Sequence, residues 1–321
     1  MKPTIRINFA FFWDGFTFEI FKQQFPAVFS KYNLILAERP EVVFFGAYSA
    51  GAYEHLRDGR FVILMPRISR AALAQVYGNP DAVRVFITGE NVEPDMDQCD
   101  FAITFSALTD HPNHFRLPLW VWDLRRIGVE PHALVKRPDT DWERMAREKT
   151  GFCNFIYSHD VAFRNATFTH LNQYRRVDAA GRCMNNMGGA TVPGGMMGKI
   201  DFIRRYKFTL AVENAIWPGY STEKLVEPMV AGSIPIYVGD PNVGNDFNSA
   251  SFINFSQFNT MKEMKEFVRH IDNDQEEYID MLSQPFFQDN RAPHYADDKM
   301  ILSFFDRIFD DAARRARITQ R

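Results

Sequence analysis

Short β-rich runs alternating with helical stretches, twice over, constrain this chain more than any single motif. Runs at 5–10, 34–37, 42–45, 61–65, 83–88 and 101–105 read as strands. Residues 18–31 read as a helix disturbed by Pro26, and 69–77 as a helix that Ser69 can cap. Strands alternating with helices fold as a mostly parallel sheet covered on its faces. Residues 128–151 are polar, charged and Pro-punctuated, which reads as a linker with a domain boundary near residue 150. The alternation then restarts, with strands expected at 152–158, 175–178, 207–212, 234–238 and 252–255. Helices are expected at 159–174, after residue 222, and at 260–271 and 274–284, and a glycine-rich loop spans 181–198. The expected class is α/β, and 321 residues suit two domains of ordinary size.

Composition removes several function classes. A net charge of −3 argues against a general nucleic-acid binder. Cys99, Cys153 and Cys183 are an odd number without a C-x-x-C pair, so neither a disulfide framework nor a zinc knuckle is indicated, and a cytoplasmic, reducing setting fits. The start, MKPTIRINFAFFWDGF, lacks the long apolar core of a secretion signal, and no run of about 18 apolar residues exists to span a membrane. The segment 297–317 carries an apolar helical stripe, Met300, Ile301, Phe304, Phe305, Ile308 and Phe309, and ends in Arg314, Arg315 and Arg317. Such a helix packs on the protein or lies on a membrane surface.

The richest local signal is GYSTEKL at 219–225. A glycine turn delivers Glu223 and Lys224 to the start of an amphipathic helix, where the helix dipole favours an anion such as a diphosphate. Lysine adds a point charge, and glutamate can hold paired sugar hydroxyls. Taken alone, the pair reads equally well as a first-turn acid beside a solvated lysine. Glu90, in TGEN, follows the strand at 83–88, where α/β sheets keep reactive groups. It can serve as a general base if partly buried, or as a turn residue. Arg164, in VAFRNATF, can fork onto a diphosphate or simply pair with an acid. Glu213 and Asn214 end a strand and can bind a ribose or fix the loop backbone. The pairs Asp95/Asp97 and Asp139/Asp141 are weak metal signals, His111 and His114 have no third ligand nearby, and neither the dinucleotide nor the P-loop fingerprint occurs.

Together these pieces resemble a known family. YKFTLAVENAIWPGYSTEKLVEPMVAGSIPIYVGDPNVGNDFN at 206–248, the SFINFSQF that follows, VFITGENVEPDMDQCDFAITF at 85–105, RLPLW at 116–120, FRNATF and NNMGG are similar to the α-1,3/4-fucosyltransferases, which include the bacterial Lewis-antigen enzymes. The likeness covers most of 83–285, and the first 80 residues match loosely through NFAFFWDGF. It implies two Rossmann-like domains facing across a cleft (the GT-B type). Residues 1–150 would take the acceptor glycan, 151–296 would take GDP-fucose, and a terminal helix at 297–321 would pack back across both. It implies inverting transfer of L-fucose from GDP-β-L-fucose to a hydroxyl of N-acetylglucosamine in a lactosamine-type glycan, through an α-1,3 or α-1,4 linkage. Carried over residue by residue, Glu90 is the general base, Arg164 contacts the diphosphate, and Tyr220, Glu223 and Lys224 bind the donor. Asn214 carries over from a segment that reads VEN here where the family has FEN. No tightly bound cofactor and no metal are expected. The expected partners are GDP-fucose and a glycan acceptor, with peripheral inner-membrane contact through the Arg-rich terminal helix. Two other readings stand beside this one: the same fold using another nucleotide sugar, and a non-catalytic carbohydrate-binding relative.

Overall fold

The computed structural model describes residues 2–48, 53–57, 60–64, 79–192 and 195–319. The chain forms two units, Met1–Arg126 with Pro293–Arg321, and Ile127–Ala292.

The first unit contains, in chain order, β1 (Thr4–Ala10), α1 (Phe18–Gln24), α2 (Pro26–Lys31), β2 (Asn33–Leu36), β3 (Val42–Phe45), β4 (Tyr53–Arg57), β5 (Arg60–Leu64), β6 (Val83–Thr88), β7 (Phe101–Thr104), β8 (His114–Arg116) and α3 (Leu119–Arg126). Six strands form a sheet ordered β2-β1-β3-β6-β7-β8, with every pairing parallel. All residues of β3, β6 and β7 are buried, the continuous burial of central parallel strands. The helix expected over 18–31 is two helices. Pro26 lacks the N–H that a continuing helix needs, and it sits instead in the first turn of α2, where that donor is not missed. The run expected as a strand at 61–65 is β5, which pairs antiparallel with β4 in a separate hairpin rather than joining the sheet. The helix expected at 69–77 lies outside the described residues.

The second unit contains α4 (Trp142–Arg147), β9 (Gly151–Phe155), α5 (Ala162–Asn172), β10 (Val177–Ala179), α6 (Gly195–Ile203), β11 (Tyr206–Val212), α7 (Glu223–Ala231), β12 (Ile234–Val238), β13 (Ile253–Asn254), α8 (Met261–Asn273) and α9 (Gln275–Ser283). Its sheet is ordered β10-β9-β11-β12-β13, again wholly parallel. The division of the chain falls after Arg126, not near residue 150. The polar segment read as a linker belongs to this unit because its few apolar side chains are used. Trp142, Met145 and Ala146 pack on the core built around Phe152, Phe208 and Ile271. Asn290 brackets Lys136 by donating to its carbonyl and accepting from its amide, and the Lys136 ammonium sits 3.9 Å from the Phe286 ring centre.

The chain finishes with α10 (Asp298–Thr319), which packs within the first unit on α2, β3 and β6. Its stripe of Ile301, Phe304, Phe305, Ile308 and Phe309 is buried. Phe305 places its ring 4.9 Å from Phe25 and 5.9 Å from Phe44. Each such burial is worth about 1.5–3 kcal/mol, so the apolar face is committed to the core. Membrane contact through the terminal helix therefore has no support from this face. Two of the terminal arginines are also engaged, with Arg315 reaching Asp311 at 2.8 Å and Asp100 at 3.3 Å, and Arg314 pairing with Asp311. No described helix is long and apolar enough to cross a membrane.

Candidate active site

The strand order of the second unit decides where a ligand can sit. The chain leaves β9 toward β10 on one side and then returns to β11 on the other. Connections diverge at the carboxyl ends of β9 and β11, and α/β sheets bind ligands in the crevice this opens. A cavity of about 340 Å³ lies there, lined by Tyr157, Arg164, Lys199, Asn214, Glu223 and Lys224 among others. That volume falls within the range of small-molecule sites.

Arg164, on α5, is 1% exposed. Its guanidinium lies 4.0 Å from the Tyr157 ring centre. Nη2 donates to the Asn214 side-chain oxygen at 2.7 Å and to the Val212 carbonyl at 3.2 Å, and Nη1 to the His159 carbonyl at 3.5 Å. Among the described residues Nε has no hydrogen-bond partner, and no carboxylate forms an ion pair with Arg164. A buried cation held by dipoles and a ring, with a spare donor, is built for an incoming anion.

Glu223 and Lys224 open α7. Gly219 takes φ +84° in the preceding turn, a backbone region open to glycine. Thr222 caps the helix, its hydroxyl accepting from the Lys224 amide at 3.3 Å. Glu213, at the end of β11, accepts from the Thr222 amide at 2.8 Å and from its hydroxyl at 2.7 Å. Of the two roles open to this strand end, Glu213 thus fixes the loop. Lys224 Nζ reaches Glu223 at 3.0 Å and Glu213 at 3.4 Å, so it is clamped between two acids rather than solvated. Burial alone would push the Glu223 carboxyl up, but Lys224 and then Lys199 outweigh it and hold Glu223 down at about 2. For Glu213 burial wins, and its carboxyl is raised despite Lys224. Lys224 is raised well above the ordinary lysine range, because the two glutamates outweigh its own desolvation. Lys199, on α6, lines the cavity and pairs with the buried Glu227.

Of the residues expected at the donor site, Arg164, Asn214, Glu223 and Lys224 line this one cavity. Tyr220 is buried and does not line it. Glu90 belongs to the other unit, on the loop after β6, where it is exposed rather than partly buried. Its amide donates to the Thr88 hydroxyl at 3.1 Å, and its Oε1 accepts from the Tyr48 hydroxyl at 2.7 Å. A Cβ on Gly89 would stand 2.3 Å from the end of the Leu119 side chain, which would have to move aside. Sequence reasoning missed Tyr157, Lys199 and Tyr48. The carboxylate pairs serve the backbone: Asp95 accepts from the Asp97 amide, and Asp141 caps α4. Among the described residues no three His, Cys, Asp or Glu side chains cluster as a metal ligand set.

Two parallel-sheet units, the second with an anion-suited crevice at its strand reversal, have the architecture of the two-Rossmann-domain (GT-B) glycosyltransferases. A solved structure described as an alpha1,3-fucosyltransferase matches with a TM-score of 0.75 at 28% identity, over 96% of this chain and 91% of that one. A second, described as that enzyme with GDP-fucose, matches with a TM-score of 0.72 at 25% identity over the same shares. Residues 146–285 match the family model described as glycosyltransferase family 10 (fucosyltransferase) C-term, and 71–122 match the alpha-(1,3)-fucosyltransferase FucT N-terminal domain. The alpha-(1,3)-fucosyltransferase FucT of Helicobacter pylori is 30% identical over 74% of this chain, which spans 57% of that relative's length. The chain belongs to glycosyltransferase family 10, the fucosyltransferases.

Proposed function

We propose that the chain is an inverting fucosyltransferase moving L-fucose from GDP-β-L-fucose to a hydroxyl of N-acetylglucosamine in a lactosamine-type glycan, through an α-1,3 or α-1,4 linkage. The observation that carries the reading is Arg164, a buried guanidinium with an unpartnered Nε and no carboxylate partner among the described residues, in the β9/β11 crevice. A diphosphate supplies the missing charge. The GDP-fucose complex of a solved fucosyltransferase with this fold supports the same donor.

In this reading the acceptor oxygen forms a bond to the anomeric carbon as the bond from that carbon to the β-phosphate oxygen breaks. The bonding pair leaves with GDP, and the acceptor hydroxyl proton passes to the Glu90 carboxylate. Arg164 stabilises the charge growing on GDP, a role that preorganised donors fill without reorganising during the step. Lys224 contributes a cation whose position the two glutamates fix. Glu223, ionised, accepts from ribose or fucose hydroxyls, Asn214 orients Arg164, and Tyr220 supports the loop that carries Glu223 and Lys224.

Calorimetric titration tests the donor half. GDP and GDP-fucose should bind in preference to other nucleotides and nucleotide sugars, and Arg164→Ala should weaken GDP by on the order of tenfold to a hundredfold, the loss of one or two charged hydrogen bonds. Equal binding of UDP-sugars, or an Arg164→Ala variant with native GDP affinity, would sink this reading.

A further inference from the structure

The first unit reverses its strand order as the second does: β2-β1-β3 brings diverging connections to the carboxyl ends of β1 and β3. The roles assigned so far leave that point unused. Past the end of β1, Phe11 takes φ +58°, a left-handed backbone that a bulky residue keeps only when its surroundings force it. Its carbonyl accepts from the Tyr48 amide at 2.9 Å, and Gly46, just past β3, packs so closely that a Cβ there would lie 2.7 Å from the Phe11 oxygen. The exits of β1 and β3 are thereby locked together. The lock presents two rings outward, Trp13 at 39% exposure and Tyr48 at 48%, with centroids 6.1 Å apart. Phe12 and Phe16, stacked at 4.0 Å, hold Trp13 from beside it. From this shelf the Tyr48 hydroxyl donates to Glu90 at the end of the adjacent β6.

We propose that Tyr48 is the positioning residue of the proton-accepting carboxylate, and that Tyr48 and Trp13 together form the shelf on which the acceptor sugar lays its apolar face. The proposal rests on the reading of Glu90 as the base. An exposed glutamate on a glycine loop has many rotamers, and a short hydrogen bond to its charged form selects one. With Oε1 taken by Tyr48, Oε2 accepts from the incoming hydroxyl and receives its proton as the new C–O bond forms. Tyr48 keeps its own proton throughout, because burial and then Glu90 raise the phenol above its ordinary range. Rigid, amphipathic rings with one face in water suit the C–H face of a sugar, leaving its hydroxyls to polar groups.

Steady-state kinetics on the full chain test this, with GDP affinity measured by calorimetry on each variant to confirm a folded donor site. Tyr48→Phe should lower kcat about tenfold, the size of one hydrogen bond to a charged group, with the KM for GDP-fucose unchanged. Trp13→Ala should raise the acceptor KM with little change in kcat. In a Glu90→Gln background, adding Tyr48→Phe should cost nothing further, whereas a merely structural tyrosine would cost the same in both backgrounds. Wild-type turnover by Tyr48→Phe beside an inactive Glu90→Gln would overturn the positioning role and leave the base assignment standing. Wild-type turnover by Glu90→Gln would overturn the base assignment itself. An unchanged acceptor KM in Trp13→Ala would remove the shelf.

Discussion

Arg164 buries a charge that a ring, two carbonyls and Asn214 solvate, and among the described residues no carboxylate pairs with it. Burying a cation is costly unless something pairs with it, so such an arrangement marks a ligand position more than a stability device. Lys224 is the contrast, neutralised from both sides before any ligand arrives. A partly buried histidine shows what a structural role looks like. The His114 ring nitrogens sit 3.0 Å from the Thr109 carbonyl and 2.9 Å from the Thr104 hydroxyl. Burial pulls its imidazole down to about 4, with Arg116 and His111 helping and the Thr109 contact opposing. Unfolded, this histidine takes a proton near 6.5, so between pH 6.5 and 4 the unfolded chain binds more protons than the folded one. Stability is therefore lost as pH falls through that window, with a slope approaching about 1.4 kcal/mol per pH unit from this group. Denaturant unfolding at several pH values should show a flatter profile for His114→Gln than for the native chain, and parallel profiles would contradict the assignment. Glu223, Lys224 and Arg164 were legible in the sequence because their motifs are contiguous. The Lys224–Glu213 contact was not, since it joins a helix start to a strand end eleven positions upstream and exists only once β11 and α7 are in place. Lys199 was hidden because a lysine in GMMGKIDF carries no sign of the cavity it lines.

Between β11 and α7 one residue does two jobs. The Thr222 hydroxyl accepts from the Lys224 amide and donates to Glu213, while its own amide also donates to Glu213. Thr222→Val keeps the shape, removes the cap and leaves a buried carboxylate short of a donor. The expected loss is about 1–3 kcal/mol, read from the denaturant midpoint, with Thr222→Ser largely restoring it. An unchanged midpoint in Thr222→Val would mean the brace carries no load. At this scale the long periodic pieces could be read directly, and Pro26 correctly signalled a break. The short ones could not. β8 is the three residues HFR, with no apolar run to announce it, and α6 begins inside a glycine-rich stretch that reads as loop. β5 has the composition of a sheet strand, but its antiparallel partner β4, YEHLR, carries no strand-like run of its own.

Both units repeat one strand order around their leading strands, β2-β1-β3 and β10-β9-β11, and the restarting alternation made that doubling readable. The boundary was not readable. Polar composition at 128–151 resembles a linker until Trp142 and Met145 are seen against the second core. The family resemblance implied a terminal helix that packs back across both domains, and 293–321 groups with the first unit; the α10 stripe by itself offers a face but not its partner. On the proposed reading the doubled architecture separates the tasks, with the donor held at the strand reversal of the second unit and the acceptor and base at that of the first. The most direct test of the whole account is proton NMR of the product formed from GDP-β-L-fucose and N-acetyllactosamine. The account predicts release of GDP and an α-linked fucose on a hydroxyl of the N-acetylglucosamine ring, formed by the native chain and nearly absent with Glu90→Gln. A β-linked product, or glycan binding without any release of GDP, would contradict it.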